Sequence, residues 1–211
     1  MGTLVKICGL TRAGDVEAAI AAGADWVGFI VEAKSSRRLS LADAARLIRG
    51  VPVPTVAVTV DADDALVDGI KEAGFTHIQL HGREPLPRVA DIGARTGLTV
   101  IKAVPVSTPD EVKLATEYSG AADWLLLDAK PPAGAAQAGG HGQAFAWDIL
   151  RNAPLPKRWG LAGGLSVGTA REALSLRPAL VDVSSGVESA PGIKDAALMR
   201  RFVEAIRGPA T

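Results

Sequence analysis

Eight times along this chain a short apolar run gives way to a segment with helical spacing, and that alternation excludes most folds before any motif is read. The runs are LVKIC (4–8), WVGFIV (26–31), PTVAVTV (54–60), HIQL (77–80), LTVIKAV (98–104), WLLLD (124–128), RWGLAG (158–163) and LVDVSS (180–185). Most are apolar on consecutive residues, as strands of a parallel sheet buried on both faces must be. Between them lie alanine-rich stretches such as 15–23, 41–50, 64–74 and 193–208, with Gly23, Gly50, Gly74 and Gly208 standing where helices terminate. Strands alternating with helices require a parallel sheet with right-handed crossovers. Eight units in 211 residues fit an α/β fold, one closed (β/α)8 TIM barrel, and no shift of composition marks a linker, so residues 1–211 read as a single domain. The rival is an open doubly wound sheet. It needs G-x-G-x-x-G after its first strand, and CGLTRAGD lacks that spacing.

Composition narrows the function. With 23 Lys+Arg against 23 Asp+Glu the chain carries no formal net charge, and hence no electrostatic footprint for nucleic acid or an anionic membrane. The lone cysteine, Cys8, excludes an intrachain disulfide and a multi-cysteine metal site. His77, His81 and His141 are too scattered for a metal motif, so no metal site is expected. The first residues meet charge at Lys6 and Arg12, and no apolar stretch approaches the roughly 20 residues of a membrane span. A cytoplasmic, reducing compartment is the expectation.

In a (β/α)8 barrel the active site lies at the C-terminal ends of the strands. The polar residues there are Cys8, Ser35–Arg38, Asp61, Gln79, His81, Lys102, Asp128, Gly163–Gly164 and Ser184–Gly186. Cys8 shares a strand face with Lys6, whose charge favours a thiolate base or nucleophile. A lone cysteine also packs as a small hydrophobe, with Lys6 a polar filler inside the barrel. Asp128 closes an apolar strand, where desolvation favours the neutral carboxylic acid that a general acid needs; the plainer role is a loop cap. The Gly- and Pro-rich loop 129–144, with Gly139, Gly140 and Gly142, reads as a lid or as low-complexity slack. Two glycine turns, AGGLS (162–166) and SSGVE (184–188), follow strands seven and eight, where barrels commonly bind phosphate. An arginine of the 35–38 segment can grip a carboxylate or merely be solvated. Gly164–Gly168 matches G-x-S-x-G, but no histidine follows His141 to complete a hydrolase triad, and Ser166 reads as a helix N-cap.

Taken together, KICGLT (6–11), KSSRRLS (34–40), QLHG (79–82), IKAV (101–104), LLLDAK (125–130), GGHGQAFAW (139–147), LAGGL (161–165) and DVSSGVESAPGIKD (182–195) resemble phosphoribosylanthranilate isomerase, in order and over essentially the whole chain. The resemblance implies a (β/α)8 isomerase of tryptophan biosynthesis. Its reaction is the Amadori rearrangement of a small phosphosugar, without cofactor or metal. The family's general base then falls on Cys8 and its general acid on Asp128. Arg37 matches the arginine that holds the anthranilate carboxylate. Gly140, Gly142, Gly163, Gly164, Ser185 and Gly186 match its phosphate-binding loops. The chain departs from the family's F-D-W at Phe145-Ala146-Trp147 and from V-F-V-N at Val58-Thr59-Val60-Asp61. Two other classes fit the residues more loosely: a phosphosugar barrel using a Schiff-base lysine at Lys6 or Lys102, and a barrel that only binds phosphorylated ligands. Oligomeric state is not legible.

Overall fold

The computed structural model describes residues 2–129 and 147–208. Eight parallel strands form the barrel: β1 (Leu4–Ile7), β2 (Trp26–Val31), β3 (Thr55–Thr59), β4 (His77–Leu80), β5 (Thr99–Val106), β6 (Trp124–Ala129), β7 (Trp159–Ala162) and β8 (Leu180–Val183). Each pairs with its sequence neighbours, and β1 pairs with both β2 and β8, which closes the sheet. Seven helices follow among the described residues: α1 (Ala13–Ala21), α2 (Leu41–Leu47), α3 (Asp64–Glu72), α4 (Leu86–Thr96), α5 (Pro109–Thr116), α6 (Ala170–Ser175) and α7 (Ala196–Arg207). The barrel expectation therefore holds against the open sheet.

Closure explains the unbroken apolar runs. One strand face meets the helices in a core that includes Ile7, Phe29, Ile78, Leu125, Phe202 and Ile206. The other face fills the barrel with Val56, Val58, Ile101, Ala103, Leu126 and Leu180. Each fully buried Leu, Ile or Phe contributes about 1.5–3 kcal/mol. At the N-terminal end, Trp26 stacks edge-on to Trp124 with centroids 5.0 Å apart and lies 4.7 Å from His77.

Helix starts are set by side chains. Ser40, Asp63, Thr108 and Asp195 each accept the backbone N–H three residues on, and Thr108 with Glu111 completes a capping box. Two expectations need correcting. The last helix was expected from 193, but Ile193–Lys194 instead pairs antiparallel with Glu188–Ala190 as a small hairpin, and Asp195 caps the helix behind it. Ser166 is no N-cap. The α6 helix starts after Thr169, whose hydroxyl accepts the Ser166 N–H (2.9 Å) and donates to the Gly164 carbonyl (3.1 Å).

Candidate active site

A cleft of about 240 Å³ opens at the C-terminal end of the barrel. Cys8 from the end of β1 and Asp128 from β6 both line it, with Val58, Gln79, His81 and Asp182. Gly163, Gly164, Leu165, Ser184 and Ser185 form one end of its wall. Strand alternation brings these side chains inward, because every second residue of a barrel strand faces the lumen.

Cys8 is buried at 7% exposure, and its N–H donates to the Val183 carbonyl at 2.9 Å. Burial pushes the thiol above its ordinary value; Lys6 pulls it back only in part, and Asp182 adds to the rise. Of the opposing influences on the thiol, desolvation is the largest and the Lys6 charge comes second. Asp128 is half-buried, and its Oδ2 lies 3.5 Å from His81 Nε2. That histidine was legible only as a strand-end residue with no role attached.

Beneath the cleft floor, Lys6 is fully buried. Its Nζ donates to Asp182 Oδ2 (2.7 Å) and Gln79 Oε1 (2.9 Å). Lys6 and Asp182 are register partners across β1 and β8, so both inward positions face each other directly. Asp182 Oδ1 is buried without a hydrogen-bond partner among the described residues. Lys102 belongs elsewhere. It sits on the helix-facing side of β5, held by Glu84 (2.7 Å) and by the carbonyls of Leu80 and Gly82 (3.1 and 2.8 Å). Both lysines are therefore engaged by carboxylates and neither lines the cleft, which leaves the Schiff-base alternative without a free amine among them.

Arg37 does not line the cleft. Its Nε and Nη2 donate to the two carboxylate oxygens of Glu188, each at 2.6 Å, and its stem packs over Gly9. Lys194 Nζ also donates to Glu188, at 2.8 Å. Burial would raise the Glu188 carboxyl, but these two cations overcome it and bring it down to about 2. Glu188 and Lys194 carried no sequence signal beyond the family-like string around them.

The glycine turns meet. A Cβ on Gly186 would collide with the Leu165 carbonyl oxygen, and one on Gly163, whose φ is +86°, would collide with the Ala129 carbonyl. Their first effect is to let the 162–166 and 184–188 turns touch. Among the described residues the N–H groups of Gly163, Gly164, Ser185 and Gly186 have no backbone or side-chain acceptor. Gly140, Gly142, the lid-like loop and Ala146 lie outside the described residues. Thr59 does not border the cleft: it is buried on the helix side of β3, its hydroxyl 3.4 Å from the Gln79 carbonyl. Asp61 instead accepts the Arg83 N–H (2.7 Å) and braces the turn after β4.

Among the described residues no group of His, Cys, Asp and Glu could hold a metal ion, and no helix is long and apolar enough to cross a membrane. The family model for N-(5'phosphoribosyl)anthranilate (PRA) isomerase matches residues 5–205. The N-(5'-phosphoribosyl)anthranilate isomerase of Cereibacter sphaeroides is 48% identical over 210 residues, covering 98% of this chain and 99% of the relative. The crystal structure of the Thermotoga maritima phosphoribosyl anthranilate isomerase superposes with a TM-score of 0.85 at 36% identity, over 98% and 99% of the two chains. A further isomerase structure, solved with reduced 1-(o-carboxyphenylamino)-1-deoxyribulose 5-phosphate, superposes with a TM-score of 0.81 at 32% identity, over 98% and 99%. On sequence and fold alike, the chain belongs to the N-(5'-phosphoribosyl)anthranilate isomerase family.

Proposed function

We propose that the protein catalyses the Amadori rearrangement of N-(5-phosphoribosyl)anthranilate to 1-(2-carboxyphenylamino)-1-deoxyribulose 5-phosphate, a step of tryptophan biosynthesis, in the cytoplasm. One observation carries the site assignment: a thiol and a carboxyl from opposite sides of the barrel border one cleft that runs to the 163–164 and 184–185 turns, where the N–H groups of Gly163, Gly164 and Ser185 have no protein acceptor among the described residues. Asp128, as the neutral acid, delivers a proton to the furanose ring oxygen while the C1–O bond breaks, leaving a protonated Schiff base. That cation acidifies the C2 proton, and the Cys8 thiolate removes it to give the enolamine. Tautomerisation to the ketone completes the rearrangement, and the protons on Cys8 and Asp128 exchange back through solvent. Acid and base must begin in opposite protonation states, which different surroundings for the two groups allow. Phosphate is held by the N–H groups of the 163–164 and 185–186 turns, where no side chain blocks approach. Arg37, whose Nε and Nη2 are held by Glu188, binds the anthranilate carboxylate through Nη1. By the family resemblance, Gly140 and Gly142, outside the described residues, also belong to the phosphate-binding set.

The test is a fluorescence assay following loss of freshly made phosphoribosylanthranilate. The reading expects turnover in the native chain and its near-complete loss in Cys8→Ala and Asp128→Asn. A native chain that binds the phosphorylated product but consumes no substrate would leave a binding protein in its place.

A further inference from the structure

The mechanism uses Cys8 as a thiolate, and burial works against that state. The counterweight is visible in the charges around it. Gly28 of β2 has no side chain, and the point where its Cβ would stand lies 3.0 Å from Cys8 Sγ and 3.2 Å from Lys6 Nζ. The ammonium and the thiol thus flank the same bare stretch of backbone. Five charged groups influence this end of the barrel: Lys6 from β1, Asp182 from β8, Arg37 from the loop after β2, and Glu188 with Lys194 from the hairpin after β8. Lys6 pairs with Asp182, while Arg37 and Lys194 share Glu188, so three cations face two carboxylates. Asp128 and His81 border the cleft from the ends of β6 and β4, with Oδ2 and Nε2 3.5 Å apart. Among these five groups the cations exceed the carboxylates by one, and a Cys8 thiolate offsets that excess.

We propose that Lys6 is a positioning residue of the reaction: a fully buried ammonium, fixed by Asp182 and Gln79, that stabilises the Cys8 thiolate relative to the thiol at the floor of the cleft. Its fixation explains why an ammonium is retained inside the barrel. Desolvating a charge is costly unless it is paired, and Asp182 provides that pairing at 2.7 Å. Asp182 also limits the effect, since its own charge opposes the thiolate. The two residues are therefore expected to act on Cys8 with opposite sign.

The inference rests on Cys8 being the base, yet it can be read without substrate, because Cys8 is the only cysteine in the chain. The rate of alkylation by iodoacetamide, followed against pH in the folded protein, reports the thiolate directly. Lys6→Met should move the midpoint up by about one pH unit or more, a drop on the order of tenfold in alkylation at neutral pH. Asp182→Asn should move it down. A merely structural role predicts another pattern: a loosened barrel exposes Cys8 in both variants, and both midpoints fall toward the ordinary thiol value. An unmoved or lowered midpoint in Lys6→Met overturns the proposal. Should that variant fail to fold because it strands the Asp182 carboxylate, Lys6→Met is made in the Asp182→Asn background, where no charge is stranded. The double variant must then titrate above Asp182→Asn alone, and equality overturns the proposal. Failure of the base assignment looks different: Cys8→Ala would keep its turnover whatever the titrations show.

Discussion

Burial alone would keep Cys8 protonated at neutral pH, so its role as base depends on side chains that never touch the substrate. The acid and base themselves are readily tested. General acid–base groups contribute about 10²- to 10⁴-fold, so Cys8→Ala and Asp128→Asn are each expected to lower kcat by that order. Circular dichroism should remain native, because neither change leaves a large hole or a stranded charge; near-native turnover in either variant would remove its assigned role. Arg37 is expected to behave otherwise. A carboxylate clamp acts in ground and transition states alike, so Arg37→Ala should raise KM more than it lowers kcat, by about 1.5–3 kcal/mol of lost binding. An unchanged KM would mean that Arg37 serves only to neutralise Glu188, the partner it already holds through two of its three nitrogens.

Among the elements, the turns after β7 and β8 are the most exacting. Gly186 lies against the backbone of Leu165, so the two turns form one continuous surface. Gly186→Val is expected to drive them apart, lowering the denaturation midpoint and weakening a non-reactive phosphorylated product analogue together. Wild-type affinity for that analogue in the folded variant would remove the phosphate assignment. These turns also mark how far the sequence could be read. Eight apolar runs yielded eight strands, because a closed parallel barrel buries both faces and leaves an unbroken Val/Ile/Leu signature. Cys8 and Asp128 were legible because each ends such a run, and strand ends converge at one mouth. The 188–194 hairpin was not legible: its three- and two-residue strands are too short to show a period, and the helical spacing that begins at Ala196 extended backward over it. Nor was the net state of the thiol, since Lys6 and Cys8 are adjacent in the pattern while the opposing burial and Asp182 come from tertiary packing. Lys102 shows the same limit. It sits within an apolar run near the site residues, but one step of alternation turns it to the helix layer and to Glu84.

Over the whole molecule, the two mouths of the barrel should fail in different ranges of acid. At the N-terminal mouth, burial beside Trp26 brings His77 from 6.5 down to about 4, with Asp123 opposing and Lys6 adding to the drop. At the C-terminal mouth, Arg37 and Lys194 overcome burial and bring Glu188 from 4.5 down to about 2. Both folded-state values are depressed, so at each site the unfolded chain binds protons first as pH falls. Linkage then gives the same sign for both: stability is complete above the unfolded value and is lost as pH drops toward the folded one. The windows differ. His77 acts between 6.5 and about 4, and Glu188 between 4.5 and about 2. Urea midpoints measured across this range should therefore fall in two stages. His77→Gln should flatten the upper stage and leave the lower one intact, because glutamine cannot take up the proton. Glu188→Gln should flatten only the lower stage, and it should also start from a lower midpoint, since Arg37 and Lys194 lose the carboxylate between them. If His77→Gln left the whole profile unchanged, the histidine would have to titrate alike in folded and unfolded chains, and its packing against Trp26 would not be shutting out water.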